Sequence, residues 1–151
     1  MLVSWAVAAF CTHEARYFPH VATFWQSEVE KKAAFVLDKR VAYIEDHLVN
    51  PYLRRRYTAL RTTDGLIGRL TYDRTGSYLL AVAQGGAVLR TYTASRVVMD
   101  ESEFMPEAHE ALTAALPLIE GNAKLVAISS SNGPGGILAG ICKQIGFTRF
   151  S

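Results

Sequence analysis

Two short apolar runs, each ending abruptly in polar groups, constrain this chain more than any other feature. Arg96-Val97-Val98-Met99 runs into Asp100-Glu101, and Lys124-Leu125-Val126-Ala127-Ile128 runs into Ser129-Ser130-Ser131. A strand with one wet face alternates apolar and polar residues. Continuous β-branched runs instead predict central parallel strands covered on both faces. Parallel neighbours need a crossover, and Pro106–Leu116 reads as a helical one. Pro106 stands near its start, and Ala108, Ala111, Leu112, Ala115 and Leu116 share one face. A further helix is predicted at Ile137–Ile145, after Gly135-Gly136.

Upstream, Leu2–Thr12 is apolar nearly all round, which predicts a core helix. It does not read as a signal peptide: no Lys or Arg precedes it, and His13, Glu14 and Arg16 follow it. A strand is predicted at Val21–Phe24. A long helix then follows through Trp25, Val29, Ala33, Val36, Val41, Ile44 and Leu48, supported by a Glu28–Lys32 pair and ended by Asn50-Pro51. Tyr52–Arg61 reads as a short basic helix or turn. Leu66–Asp73 and Ser77–Ala83 flank Arg74-Thr75-Gly76 as a β-hairpin whose Gly76 takes positive φ. Gln84-Gly85-Gly86 is a loop. The order α-β-α-(β-hairpin)-β-α-β-α gives an α/β sheet with right-handed crossovers.

Composition excludes several classes. With 151 residues, 50% hydrophobic, 20% charged and a net charge of +2, the chain is not a disordered or low-complexity sequence. No apolar run reaches the roughly 18 residues of a membrane helix. Cys11 and Cys142 are distant and form no disulfide framework or metal cluster, so a reducing compartment is the expectation. The mild basicity does not by itself argue for nucleic-acid binding. Arg54-Arg55-Arg56 with Arg61, Arg69 and Arg74, flanked by Tyr52 and Tyr57, reads as a solvated face. Contact with DNA phosphates or a neighbouring ATP site is the alternative.

Open α/β sheets bind ligands beyond the carboxyl ends of their strands. There the two apolar strands offer a pair of carboxylates and a run of hydroxyls. Nucleotide hydrolysis divides work between such groups: one carboxylate holds Mg²⁺, and a nearby polar residue orients the attacking water. An apolar strand followed by Asp-Glu is the Walker B pattern of many ATPases. The plainer reading is that Asp100-Glu101 are acids near a helix start, and that the serines are turn formers. His13, His20, His47 and His109 have no metal-ligand spacing, and no nucleophile elbow is present.

The stretch VLRTYTASRVVMDESEFMPEAHEAL, followed by LIEGNAKLVAISSSNGPGG, resembles the ATPase domain of the large terminase subunit of tailed phages. The resemblance implies an α/β, P-loop NTPase-like fold: a mainly parallel sheet with flanking helices and a β-hairpin insertion. Val97–Glu101 match the Walker B motif, which implies that Asp100 holds Mg²⁺ and Glu101 activates the water. Ser129, Ser130 and Ser131 occupy the coupling motif, where the family more often has Ser-Thr-Pro or Ser-Ala-Thr. Thr23 and Gln26 match a Thr and a Gln that precede a long helix, and Gln26 is implied in nucleotide binding. Its plain alternative is a helix-start residue. Gly76-Ser77 and Leu89-Arg90-Thr91 also fit, with Thr91 replacing a Gly.

No Gly-Lys pair occurs, so the sequence contains no phosphate-binding loop. Leu2–Phe10 is similar to the helix that follows this loop in the family. The expectation is therefore a partial ATPase domain spanning 1–151, missing the N-terminal phosphate-loop strand upstream and the nuclease domain downstream, and inactive in ATP hydrolysis as it stands. For the intact protein the resemblance implies a motor that couples Mg²⁺ and ATP hydrolysis to DNA packaging. Its implied partners are double-stranded DNA, the portal protein and the small terminase subunit. It would act as a homo-oligomeric ring in the host cytoplasm, docked transiently on the procapsid, with no membrane. The alternatives are another ATPase of the same strand class, such as a helicase, and an inactive prophage remnant or interaction module. Under the ATPase reading, the carboxyl ends of 97–99 and 125–128 must be neighbours in a parallel sheet.

Overall fold

The computed structural model describes residues 2–130 and 136–143. Its strands are β1 (Ala22–Ser27), β2 (Tyr57–Arg61), β3 (Ile67–Tyr72), β4 (Tyr78–Ala83), β5 (Arg96–Asp100) and β6 (Lys124–Ile128). They form one sheet in the order β2-β3-β4-β1-β5-β6. β1 pairs in parallel with both β4 and β5, and β5 in parallel with β6, while β2, β3 and β4 are antiparallel. Val97 stands opposite Leu125 and Asp100 opposite Ile128, so the two apolar strands are parallel neighbours with adjoining carboxyl ends. The fold is α/β, as the strand pattern predicts.

The helices are α1 (Leu2–Tyr17), α2 (Glu30–Val36), α3 (Ala42–Asp46), α4 (Ala87–Thr91), α5 (Ala108–Glu120) and α6 (Ile137–Ile141). A π-helical turn, Leu37–Val41, joins α2 to α3; the Ala42 N–H donates to the Leu37 carbonyl five residues back. Side-chain alternation divides the core in two. Trp25 and Val98 pack toward α1 and the α2–α3 stretch, whereas Phe24, Val97 and Met99 pack with Leu112 and Ala115 of α5.

The hairpin forms as the Arg74-Thr75-Gly76 turn predicts, with Leu70 opposite Leu79 and Gly76 at φ 66°. The adjoining Ser77 hydroxyl donates to the Phe18 carbonyl and accepts from the Val21 N–H at 2.9 Å, tying the hairpin to the α1–β1 connection.

Several boundaries differ from the sequence reading. Trp25 and Gln26 belong to β1, not to the following helix. Each is held between β4 and β5, Trp25 opposite Ala81 and Val98, and Gln26 opposite Val82 and Met99, so pairing on both sides overrides their helical spacing. The Glu28–Lys32 ion pair forms, although Glu28 precedes α2. The segment expected as a basic helix or turn is a short 3₁₀ turn, Pro51–Leu53, followed by edge strand β2. Tyr57 and Ala59 of β2 are half-buried while Thr58 and Leu60 are exposed, a period-2 pattern that the Arg run hides. Arg90 lies in helix α4, and α5 starts and ends later than its face predicts, continuing through Pro117.

Two surfaces are barer than their sequences suggest. β5 is buried throughout, but Leu125–Ile128 of β6 are half-exposed because, among the described residues, β6 has a strand on one side only. α1 buries Ser4, Ala8, Cys11, Thr12, Ala15 and Arg16, but leaves Leu2, Val3 and Phe10 exposed. The core-helix expectation therefore holds for one face of α1. Cys11 lies fully buried there, and burial pushes its thiol up to about 11, so it is not a nucleophile at neutral pH. Among the described residues, no helix is long and apolar enough to cross a membrane.

Candidate active site

The last residue of β5 collects partners from three elements. Alternation sets Asp100 on the Val98 face, toward α1 and α2. The Ser4 hydroxyl of α1 donates to Asp100 Oδ1 at 3.3 Å, and the Trp25 indole Nε1–H donates to Oδ2 at 3.3 Å. Arg40 Nη1, on the π-helical turn, stands 3.9 Å from Oδ2. Asp100 is 8% exposed and Trp25 fully buried, so the carboxylate is fixed in orientation rather than free to rotate.

Glu101 has the opposite character. It is exposed and adopts left-handed backbone, φ 58° and ψ 40°, while its carbonyl accepts from the Phe104 N–H at 2.9 Å. For an L-residue this conformation costs about 1–2 kcal/mol, and such strain concentrates at functional sites. Glu101→Gly should therefore stabilise the chain by up to about 1 kcal/mol, raising Tm by about 2–4 °C. A lower Tm in thermal unfolding would show that the carboxylate, not the backbone, sets the local energy.

The remaining predicted residues are distributed differently. Gln26 is fully buried on the other face of β1, beside Phe24 rather than Trp25. Its Nε2 donates to the carbonyls of Ala83 at 2.9 Å and Gly85 at 2.8 Å, so it fastens the loop after β4. Ser129 Oγ accepts from the Glu103 N–H at 3.2 Å, and the Glu103 carboxylate accepts from the Leu138 N–H at 2.7 Å. The end of β6 is thereby linked to the 3₁₀ turn directly after Glu101. Ser130 is exposed, and Ser131 lies outside the described residues.

A cavity of about 400 Å³ opens beside the two carboxylates, and Ser27, Lys31, Lys32 and Arg40 also line it. Sequence reasoning missed these basic residues, as it missed Ser4 and the contact of Trp25. The one available signal was the recurrence of Lys31-Lys32 as Lys39-Arg40, about two helical turns later. The oxygen donors here, two carboxylates with the Ser4 and Ser27 hydroxyls nearby, suit Mg²⁺, which takes one or two carboxylates and keeps several waters. Among the described residues, no cluster of three His, Cys, Asp or Glu could form a dedicated metal cage.

No protein-family model matches the chain, and no curated protein matches it. Solved structures do. The large terminase ATPase domain of a Thermus phage superposes with a TM-score of 0.58 at 16% identity, over 86% of this chain and 55% of that one. The large terminase of a thermophilic bacteriophage, in complex with ADP, superposes with a TM-score of 0.56 at 12% identity, over 89% of this chain and 31% of that one. The chain spans about half the length of the first and about a third of the second. At these identities the likeness establishes the fold alone: the α/β sheet and helices are arranged as in the phage large terminase ATPase domain.

Proposed function

We propose that the chain carries the Walker B and coupling parts of a packaging-motor ATPase. One observation carries the reading: Asp100 ends a buried parallel strand, β5, with Glu101 directly after it, and the neighbouring strand β6 leads straight into Ser129. Asp100 is the metal residue, its oxygens oriented by Ser4 and Trp25. Mg²⁺, when bound, supplies positive charge to the transferring phosphate. Glu101 accepts a proton from the attacking water, and its exposed carboxylate can reach a ligand without displacing a core contact. Ser129, bonded to the turn after Glu101, passes displacement of that turn to β6. Gln26 acts on nucleotide only through the loop it fastens.

A phosphate loop leading into α1 would arrive beside Asp100, because Ser4 in the first turn of α1 donates to that carboxylate. In the whole protein, this activity would drive double-stranded DNA into a procapsid, with the portal protein and the small terminase subunit as partners, copies arranged in a ring, and the host cytoplasm as the setting. The test is ATP turnover by a protein in which a Gly-Lys-Ser/Thr segment leads in frame into α1. Mg²⁺-dependent phosphate release is expected. Nucleotide binding without any release, in a folded protein, would favour the interaction-module reading instead.

A further inference from the structure

The cavity beside Asp100 and Glu101 holds a cation whose hydrogen-bonding capacity is unmet. Arg40 Nη1 is sealed from solvent and has no hydrogen-bond partner among the described residues. Asp100 Oδ2, its nearest carboxylate oxygen, is 3.9 Å away, beyond hydrogen-bond reach, and already accepts from Trp25. A buried, unpaired donor costs about 1–3 kcal/mol, and more when charged. The protein keeps this one on a π-helical turn, a feature that recurs at functional sites.

The other two cations of the cavity are loosely committed. Lys31 pairs with Asp64 at 3.4 Å and Lys32 with Glu28, and all four side chains are at least 41% exposed. Exposed pairs of this kind are worth under about 1 kcal/mol, so both ammonium groups can turn toward a new anion. Ser27 adds a hydroxyl to the same wall.

We propose that this cavity is a phosphate site anchored by Arg40. A small turn of the guanidinium, whose side chain is 15% exposed, brings Nη1 out to a phosphate seated there, and its fork matches phosphate oxygens two at a time. Lys31, Lys32 and the Ser27 hydroxyl close over it. A divalent cation on Asp100 offsets the repulsion between that carboxylate and the phosphate. The inference rests on the ATPase reading only for assigning the phosphate to a nucleotide; Arg40 as the anchor rests on the cavity itself.

The chain has two tryptophans, and Trp5→Phe leaves Trp25, bonded to Asp100, as the reporter. With excess Mg²⁺, inorganic pyrophosphate, ADP and adenosine are titrated against Trp25 emission and by calorimetry. Pyrophosphate and ADP are expected to saturate and adenosine to give no response. Arg40→Gln should weaken both phosphate ligands at least tenfold, and Arg40→Lys by less. Mg²⁺ alone should bind Arg40→Gln as well as wild type or better, since a competing cation has left Asp100. Thermal unfolding of both variants checks that each is folded.

Equal pyrophosphate affinity in wild type and Arg40→Gln would overturn Arg40 as anchor and leave the ATPase reading standing. Failure of pyrophosphate to bind wild type would overturn the site itself. Binding of pyrophosphate that depends on Arg40 but is indifferent to Mg²⁺ and to Asp100→Asn would keep the phosphate site and remove the metal-dependent ATPase reading.

Discussion

Glu101→Gln should lower ATP turnover by about a hundred- to ten-thousand-fold in a protein that supplies the phosphate loop, with nucleotide affinity changed by no more than a few-fold. A positioned general base contributes a factor of this size, about 3–5 kcal/mol of barrier. Gln keeps the side-chain shape but cannot accept the proton. Binding is spared because Glu101 is exposed and makes no side-chain hydrogen bond or ion pair among the described residues. Asp100→Asn should act differently. It disturbs the oriented contacts to Ser4 and Trp25 and weakens metal-dependent binding first. Single-turnover phosphate release separates the two steps. Equal release rates in wild type and Glu101→Gln would move the base to another residue.

Glu45→Ala should cost about 3–5 kcal/mol of folding stability, a large share of the 5–15 kcal/mol typical of a domain. Glu45 is 2% exposed on α3, where burial pushes its carboxyl up, while the hydrogen bond from Tyr72 and the charge of Arg16 pull it down. Its Oε1 meets Arg16 Nε at 3.0 Å and accepts from the Tyr72 hydroxyl at 2.9 Å. Truncation strands a guanidinium that is 8% exposed and a hydroxyl on a side chain that is 1% exposed. The network joins α1, α3 and β3 at the end of the sheet away from Asp100, so the loss concerns stability and not the site. Denaturant unfolding measures it. Glu45→Gln keeps the shape and some hydrogen bonding and should lose less than Glu45→Ala. A loss below about 1 kcal/mol for Glu45→Ala would mean that water reaches Arg16 and Tyr72 in the folded protein.

The strand readings that succeeded share one property: the chain reports them locally. Val97–Met99 and Leu125–Ile128 lack the alternation of a one-sided strand, and they are parallel neighbours. Gly76 supplies the positive φ that closes the hairpin, and the turn residues alone announced it. Trp25 failed because its spacing to Val29 and Ala33 fits a helix while its position between β4 and β5 makes it a strand residue. Spacing carries no information about which strands lie on either side.

What the sequence by itself determined is the α/β order, the two apolar strands and the carboxylate pair that ends the first of them. Each follows from short-range stereochemistry: the two-residue period of a strand, the φ preference of glycine and the fit of apolar runs to a buried sheet. Only the tertiary structure decided what surrounds Asp100. Ser4 lies 96 residues away in the chain and Trp25 lies 75 residues away, and Arg40 comes from a third element. Their meeting depends on the strand order and on α1 and the π-helical turn packing over one face. The same packing turned Gln26 away, since one step along β1 reverses the face. Those are long-range choices made by burial of the whole core, and no window of sequence around any one of these residues contains them.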